Sequence, residues 1–191
     1  MRIGIFGGAF DPIHNGHLAL AHAAVKELSL DQIFFVPSCE SPLKKPKSKS
    51  ASAALRYQMV EESIREIPKF KISDIETTRG GVSYTIDTIR EFKAQFPKPH
   101  ELFFLVGGDW GSRLNEWKNM GEILSLSTFI VAARPGFQKI DLPPSIRYLN
   151  FVPLDISGSQ IRDRIHSQKS VDTLVPKPTL EIIKKHNLYK D

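Results

Sequence analysis

One stretch near the start of the chain decides its fold: Gly4-Ile5-Phe6-Gly7-Gly8-Ala9-Phe10-Asp11-Pro12-Ile13-His14-Asn15-Gly16-His17. It leads from an apolar strand, residues 2–6, through a glycine turn to the start of a helix with apolar periodicity. The two glycines after the strand lack a Cβ atom, so the backbone there can turn sharply and approach a ligand closely. His14 and His17 are three residues apart on the first helical turn, and both rings therefore lie on one face. Because backbone N–H groups at a helix start attract anions, the stretch predicts a phosphate site.

Length and composition place the chain among single-domain globular proteins. Its 191 residues suffice for one complete core, and its 41% apolar and 25% charged residues are ordinary proportions. No apolar run has the length of a membrane span, and the start does not resemble a signal peptide. Cys39 is the only cysteine, so an internal disulfide is excluded and a reducing cytoplasm is expected. We therefore expect one domain over residues 1–191, a cytoplasmic location and no membrane partner.

The net charge of +5 has two explanations. An excess of basic residues can mark a nucleic-acid surface. Here the lysines cluster in Lys44-Lys45-Pro46-Lys47-Ser48-Lys49, with no aromatic residue among them. A solvated loop beside an anionic small substrate explains this cluster as well as RNA would, since a charge excess alone is weak support. We therefore expect no nucleic-acid partner.

Strand and helix patterns alternate along the chain. Apolar runs predict strands at 2–6, 31–37, 70–76, 102–106, 128–133 and 147–153. Apolar periodicity and capping residues predict helices at 16–28, 51–67, 83–96, 157–165 and 179–186, with Ser83 as one N-cap. This alternation predicts an α/β fold with a doubly wound, mainly parallel, Rossmann-like sheet.

A second candidate phosphate motif lies towards the end of the chain, in Ile156-Ser157-Gly158-Ser159-Gln160-Ile161-Arg162. Helix capping alone would explain Ser157. Serine hydroxyls, a helix N-terminus and the guanidinium of Arg162 would together also suit a phosphate. A carboxylate follows the strand at 102–106 in Gly107-Gly108-Asp109, and it can accept hydrogen bonds from ribose hydroxyls. We expect all of these groups at the carboxyl edge of the parallel strands.

The opening stretch resembles the signature of the nucleotidylyltransferase superfamily, in which a (H/T)-x-G-H motif follows the first strand. The resemblance implies that His14 and His17 contact the phosphates of ATP and stabilise charge during transfer. The second motif resembles the family's Ile-Ser-Ser-Thr-x-Ile-Arg, with Gly158 in place of the middle serine, and it adds Arg162 to the implied catalytic residues. The ATP-binding residues that the resemblance implies are Gly8, Ala9, Phe10, His14, His17, Gly107, Asp109, Arg134, Ile156, Ser157, Ser159 and Arg162.

Two further strings are similar to the pyridine-nucleotide branch of this superfamily. Ser83-Tyr84-Thr85-Ile86-Asp87-Thr88 resembles a helix start that receives the nicotinate end of the substrate, which implies contacts from Tyr84 and Thr85. Leu114-Asn115-Glu116-Trp117 resembles a Leu-Pro-x-Trp element, with asparagine in place of proline. The resemblance implies that Trp117 stacks on the pyridine ring, and a place for Trp117 in the core is the alternative.

The resemblance also covers the Ser-, Pro- and Lys-rich segment 37–52 and the helix that follows it. It implies a mobile substrate loop at 37–52, with Ser41-Pro42-Leu43-Lys44 where the family often has Pro-Pro-His-Lys. Lys44 is then the expected phosphate contact, although Lys45 could serve instead. Arg56 matches an Arg-x-x-Met spacing of the family, and a surface position is its alternative.

The resemblance implies adenylyl transfer from ATP to nicotinate mononucleotide, giving deamido-NAD and pyrophosphate, a step of NAD biosynthesis. Because no serine or cysteine is paired with a base in a local motif, we predict in-line attack by the substrate phosphate and no covalent intermediate. Mg²⁺ is the expected cofactor, held mainly by phosphate oxygens, so we name no metal-binding residues. The alternatives are transfer to nicotinamide mononucleotide or phosphopantetheine, and a non-catalytic nucleotide sensor. The sequence leaves homo-oligomerisation open.

Overall fold

The structure is a computed structural model that describes residues 1–40, 42, 50–96, 98–107, 116–132 and 145–190. The strands are β1 (Arg2–Gly8), β2 (Gln32–Pro37), β3 (Phe70–Ile72), β4 (Glu101–Gly107), β5 (Thr128–Ala132) and β6 (Ile146–Tyr148). The helices are α1 (Asn15–Glu27), α2 (Ala53–Ile64), α3 (Ile75–Arg79), α4 (Thr85–Gln95), α5 (Met120–Leu126), α6 (Gly158–His166) and α7 (Lys177–Lys185). Among these residues, no helix combines the length and the apolar character needed to cross a membrane.

The described strands form one parallel sheet of six strands in the order β3-β2-β1-β4-β5-β6. Ile5 on β1 is in register with Phe34 on β2 and with Phe104 on β4. The strand order reverses between β1 and β4, which opens a crevice at their carboxyl ends. The doubly wound α/β fold predicted from the sequence is confirmed.

Both faces of the sheet are covered by helices and carry buried apolar side chains. Along β4, Phe103 and Leu105 belong to one core cluster, whereas Phe104 and Val106 belong to the cluster on the opposite face. A strand buried on both sides needs apolar residues at every position, which explains the continuous run 102–106 in the sequence. The packed sheet therefore forms the base of the crevice, and the loops after the strands form its sides.

The structure corrects the sequence prediction around the third strand. A strand was expected over residues 70–76, but β3 ends at Ile72 and α3 begins at Ile75. Asp74 ends the strand, because its carboxylate accepts a hydrogen bond from the Thr78 hydroxyl at 2.9 Å and its carbonyl accepts from the Thr78 N–H at 2.7 Å. Helix α5 was not predicted, and α2 and β6 are shorter than expected.

Candidate active site

A cleft of about 730 Å³ opens at the carboxyl ends of β1 and β4. This volume is in the range of small-molecule sites. The β1–α1 loop, the start of α4, the end of β4 and the start of α6 line the cleft. Of the residues predicted for the site, the cleft is lined by Gly8, Ala9, Phe10, His14, His17, Tyr84, Thr85, Gly107, Trp117, Ile156, Ser157, Ser159 and Arg162.

Three predicted site residues, Lys44, Asp109 and Arg134, lie outside the described residues, as does Lys45. Within the described ranges, no group of three or more His, Cys, Asp or Glu side chains is placed to hold a metal ion. The lining around the two motifs is instead rich in groups that donate to anions.

The two motif histidines form a stacked pair at the start of α1. Their ring centroids are 3.6 Å apart, with 22° between the planes. His14 is the N-cap residue of α1, and its backbone N–H donates to Nδ1 of His17 at 3.2 Å. Since Nδ1 of a neutral His17 is then an acceptor, the ring carries its proton on Nε2. The local structure therefore sets the His17 tautomer so that Nε2 is a hydrogen-bond donor.

Aromatic side chains fix the position of His17. The Phe10 ring meets the His17 ring edge-on, at 5.0 Å between centroids and 73° between planes. Phe10 has a positive φ of 47°, which is rare for a bulky residue, and only 2% of its surface is exposed. Such a conformation persists where the surrounding packing determines it. The loop between β1 and α1 is thus held by the core beneath it.

Gly16 allows the histidine pair and α6 to approach each other. A Cβ atom at this position would lie 3.1 Å from Nδ1 of His14 and 3.7 Å from Cβ of Ile156. A side chain at Gly16 would therefore push against the His14 ring, which is itself only 6% exposed. The glycine inside the histidine motif is therefore explained by packing, since it lies within α1 and has no positive φ.

The second motif begins α6 with a capping box. The Ser157 hydroxyl accepts from the backbone N–H of Gln160 at 3.2 Å, and the Gln160 side chain accepts from the N–H of Ser157 at 3.4 Å. The hydroxyls of Ser157 and Ser159 lie 3.2 Å apart. The capping expected of Ser157 is therefore present. The helix end and both hydroxyls are exposed to the same cleft.

Arg162 connects α6 to the β1–α1 loop through Asp11. Its Nη1 donates to the backbone carbonyl of Asp11 at 2.5 Å and lies 3.6 Å from the Asp11 carboxylate. A Cβ atom at Gly158 would be 2.9 Å from that same carbonyl oxygen. The serine that the superfamily motif has at this position would collide with the loop. Gly158 is therefore matched to the close approach of Asp11.

Arg56 is buried, and the surface alternative is wrong. Its Nε donates to the carbonyl of Ala51 at 3.1 Å, Nη1 to that of Ala9 at 2.7 Å and Nη2 to that of Cys39 at 3.0 Å. Burial lowers the pKa of the guanidinium. Arg56 joins the β1–α1 loop to both flanks of the segment between β2 and α2. The Arg-x-x-Met spacing was the sequence signal for this role.

The start of α4 faces the cleft, but Ser83 is not its N-cap. Tyr84 is the N-cap residue and α4 begins at Thr85. The Ser83 hydroxyl instead accepts from the backbone N–H of Cys39 at 3.0 Å, and the Ser83 N–H donates to the backbone carbonyl of Glu40 at 2.8 Å. These contacts fix α4 to the end of β2. Asp87 and Thr88 already donate to the Tyr84 carbonyl, at 3.1 and 3.4 Å, which leaves the amides of Thr85 and Ile86 as the ones that can bind an anion at this helix start.

Trp117 belongs to both the core and the cleft. Its ring meets Phe104 at 5.9 Å and Phe129 at 5.2 Å, edge-on in both cases. The side chain is half-buried and also lines the cleft. Beside it, Nζ of Lys118 lies 4.1 Å from the centre of the Tyr84 ring. The alternative of a place in the core is therefore partly correct: core packing fixes the Trp117 ring, and the same ring borders the cleft.

Glu76 is a cleft residue that the sequence analysis missed. It is 5% exposed and accepts a hydrogen bond from the Thr88 hydroxyl at 2.6 Å. Arg79 in turn donates to that hydroxyl at 3.2 Å. Burial raises the pKa of the Glu76 carboxyl, against the opposing effect of its hydrogen bonds. The predicted strand over residues 70–76 concealed this contact, because Glu76 lies on α3 and faces Thr88 on α4.

Fold and site together define a class: an α/β protein with a cleft at the switch point of a doubly wound sheet, lined by the starts of several helices. The comparison with protein families is consistent with this class. A family model described as cytidylyltransferase-like matches residues 5–164, and the chain belongs to that family.

Curated relatives match over the whole length. A protein named "Probable nicotinate-nucleotide adenylyltransferase" from Clostridium botulinum (strain Alaska E43 / Type E3) is 41% identical, with 100% of this chain and 98% of the relative covered. One of the same name from Shouchella clausii (strain KSM-K16) is 40% identical, covering 100% of this chain and 97% of the relative. Among solved structures, the nicotinic acid mononucleotide adenylyltransferase of Plasmodium falciparum complexed with NaAD shares the fold. Its TM-score is 0.80 at 23% identity, covering 98% of this chain and 97% of that one.

Replacing Gly16 by alanine tests the packing of the histidine pair. The new methyl group would contact the His14 ring, and we expect affinity for ATP to fall about tenfold, the size of one lost hydrogen bond to a charged group. Alanine favours a helix over glycine by up to about 1 kcal/mol, so stability should not fall in parallel. Titration calorimetry and thermal unfolding measure the two effects.

Gly121→Ala is the matched control, because α5 has open space at that position. It should leave ATP affinity unchanged. Equal affinities of the Gly16→Ala variant and the wild type would show that Gly16 does not position His14.

Replacing Glu76 by glutamine tests the raised pKa of the buried carboxyl. A raised pKa means that the folded state retains a proton that the unfolded state loses above about pH 4.3. Stability contributed by this group therefore falls as pH rises from that value through the folded-state pKa. We expect Glu76→Gln to raise the melting temperature relative to wild type at pH 8, and the gain to shrink towards pH 5.

Melting curves of both proteins between pH 5 and 8 measure the difference. Glu181→Gln, at an exposed carboxylate on α7, is the control and should follow the wild-type profile. A Glu76→Gln effect that is constant with pH would contradict the assignment.

Proposed function

We propose that this chain transfers the adenylyl group of ATP to nicotinate mononucleotide, giving nicotinate adenine dinucleotide and pyrophosphate in NAD biosynthesis. The observation that carries this proposal is that the histidine pair of α1 and the capped start of α6 line one cleft. Two helix N-termini with serine and arginine donors suit a polyphosphate. The names of relatives about 40% identical over the full length support the same activity.

On the ATP side, His14 and His17 would face the α- and β-phosphates. Nε2 of His17, protonated because Nδ1 accepts from the chain, would donate to oxygens on which negative charge builds up. Ser157, Ser159 and Arg162 would hold the outer phosphates that leave as pyrophosphate. These residues are donors rather than nucleophiles. The contribution of the protein is therefore positioning and charge stabilisation of an in-line attack.

Mg²⁺ would accompany ATP rather than occupy a site built from side chains. The motifs around the phosphate region supply histidine, serine and arginine donors, a set suited to phosphate oxygens. The nearby carboxylate, Asp11, accepts hydrogen bonds from Ala51 and Tyr189 and lies beside Arg162. These residues fit an ion held by phosphate oxygens and water, as is usual for Mg²⁺. Bound in this way, the ion would neutralise phosphate charge.

On the acceptor side, the first turn of α4 would receive the nicotinate carboxylate. The amides near Thr85 favour an anion, and a carboxylate gains more there than the uncharged amide of nicotinamide mononucleotide. Trp117, fixed by Phe104 and Phe129, would stack on the pyridine ring, with Tyr84 beside it. This arrangement supports the acid as substrate.

The remaining sequence predictions complete the proposal. Lys44 would contact the attacking phosphate, Asp109 the adenosine ribose and Arg134 the adenine. Segment 37–52 would be the substrate loop, which is supported by the anchoring of Cys39 and Ala51 to Arg56. We further propose a single domain over residues 1–191 and a cytoplasmic location, which suits the lone thiol of Cys39.

The proposal is tested by pyrophosphate release from ATP and Mg²⁺ with three acceptors offered separately: nicotinate mononucleotide, nicotinamide mononucleotide and phosphopantetheine. We expect turnover with the acid and at least about tenfold lower kcat/KM with the amide, since one charge-assisted contact is lost. Preference for another acceptor would refute the substrate assignment. ATP binding without turnover on any acceptor would favour a nucleotide sensor.

Replacing His17 by alanine tests the transfer mechanism. Loss of a donor to the developing charge should lower kcat by about 10²-fold or more. His22→Ala is the matched control, because His22 is on the same helix, is exposed and packs beside Phe70 at 4.6 Å. It should retain wild-type turnover. A folded His17→Ala protein with unchanged kcat would remove His17 from the mechanism.

A further inference from the structure

The segment that follows α7 returns to the cleft beside the β1–α1 loop. After α7, the backbone turns back at Asn187 and Tyr189, which have positive φ values of 50° and 66°. The Leu188 N–H donates to the carbonyl of Ile183 at 3.0 Å. Tyr189 is 6% exposed and belongs to the core cluster that contains Phe10 and Ala51. A bulky residue in the left-handed region needs such surroundings to hold it there.

The Tyr189 hydroxyl reaches the loop that precedes His14. It donates to Oδ1 of Asp11 at 2.8 Å. Burial and the neighbouring carboxylate raise the pKa of this phenol, so the hydroxyl keeps its proton. The same Oδ1 accepts from the backbone N–H of Ala51 at 3.0 Å. Two donors on one oxygen restrict the orientation of the carboxylate.

The orientation of the Asp11 carboxylate determines which of its oxygens faces the Arg162 guanidinium. The other carboxylate oxygen, Oδ2, is 3.6 Å from Nη1 of Arg162, and the Asp11 carbonyl accepts from the same nitrogen. The Arg162 and Asp11 side chains are only 15% and 9% exposed. Hydrogen bonds to charged groups at such low exposure are strong. With Nη1 held by Asp11, the guanidinium is oriented before a phosphate binds.

We propose that Tyr189 is a positioning residue for the phosphate clamp: by holding the Asp11 carboxylate, it orients Arg162 towards the outer phosphates of ATP. This inference rests on the proposed function for the identity of the ligand. The segment after α7 therefore acts on the part of the cleft that the β1–α1 loop and α6 form. A merely structural tyrosine would affect stability but would not act through Arg162.

The test is a double-mutant cycle with Tyr189→Phe and Arg162→Ala. Phenylalanine keeps the buried ring and removes only the hydroxyl. In the wild-type background, we expect ATP affinity and kcat/KM for ATP to fall about tenfold, with KM for nicotinate mononucleotide unchanged. In the Arg162→Ala background, Tyr189→Phe should change the same quantities less than about twofold, because coupled residues are not additive.

Tyr57→Phe is the matched control, since it removes a phenol hydroxyl from a half-buried residue on α2. It should leave ATP affinity and kcat/KM unchanged. Thermal melting of every variant separates loss of fold from loss of positioning. Equal losses from Tyr189→Phe in both backgrounds, or a lower melting temperature with unchanged ATP affinity, would overturn the inference.

ATP affinity is measured without an acceptor, so this result does not depend on which acceptor is used. Failure of wild-type turnover with nicotinate mononucleotide would refute the proposed function. Unchanged ATP affinity in Tyr189→Phe would refute the role of Tyr189.

Discussion

The cleft depends on the close contact between the β1–α1 loop and the first turns of α6. The carbonyl of Asp11 accepts from Arg162 at 2.5 Å, and it occupies the space that a Cβ atom at Gly158 would need. This contact joins two segments from opposite ends of the chain at the edge where β1 and β4 end. Parallel strands direct helix N-termini to that edge, and the contact sets how closely two of them converge. Without it, the two motifs would remain separate local caps.

Converging positive groups must be stabilised before any ligand arrives. The buried Arg56 guanidinium is satisfied by three carbonyls, those of Ala9, Cys39 and Ala51, so its burial leaves none of its three nitrogens without an acceptor. The Asp11 carboxylate lies 3.6 Å from Nη1 of Arg162. The guanidinium groups of Arg56 and Arg162 are therefore fixed by bonds to the protein itself. A site whose dipoles are already oriented need not reorganise as charge develops in the transition state.

Local patterns predicted the fold and pointed to the two helix-start motifs. In a parallel sheet that is buried on both faces, each strand is an apolar run in the sequence, and each helix start carries capping residues. What failed depended on partners distant in the chain. Ser83 is a residue type that often caps helices, but its hydroxyl accepts a hydrogen bond from the Cys39 N–H instead. The alternation of residues 70–76 favoured a strand, whereas Glu76 lies on α3 and its partner Thr88 lies on α4. By sequence, Gly158 removes one hydroxyl from the motif, whereas in the fold its missing side chain leaves the space that the Asp11 carbonyl occupies.

The start of α4 and the β1–α1 loop are connected through Cys39, which lies two residues beyond the end of β2. The Cys39 N–H donates to Ser83 before α4, and the Cys39 carbonyl accepts from Arg56, which also holds Ala9 in the β1–α1 loop. In-line transfer needs the attacking and attacked phosphates at a fixed separation. Both bonds are made by the N–H and the carbonyl of one residue, Cys39, so the distance between them is nearly fixed. The hydrogen bonds of Cys39 and Arg56 therefore hold the start of α4 and the β1–α1 loop at a fixed distance from each other, as the proposed in-line transfer requires.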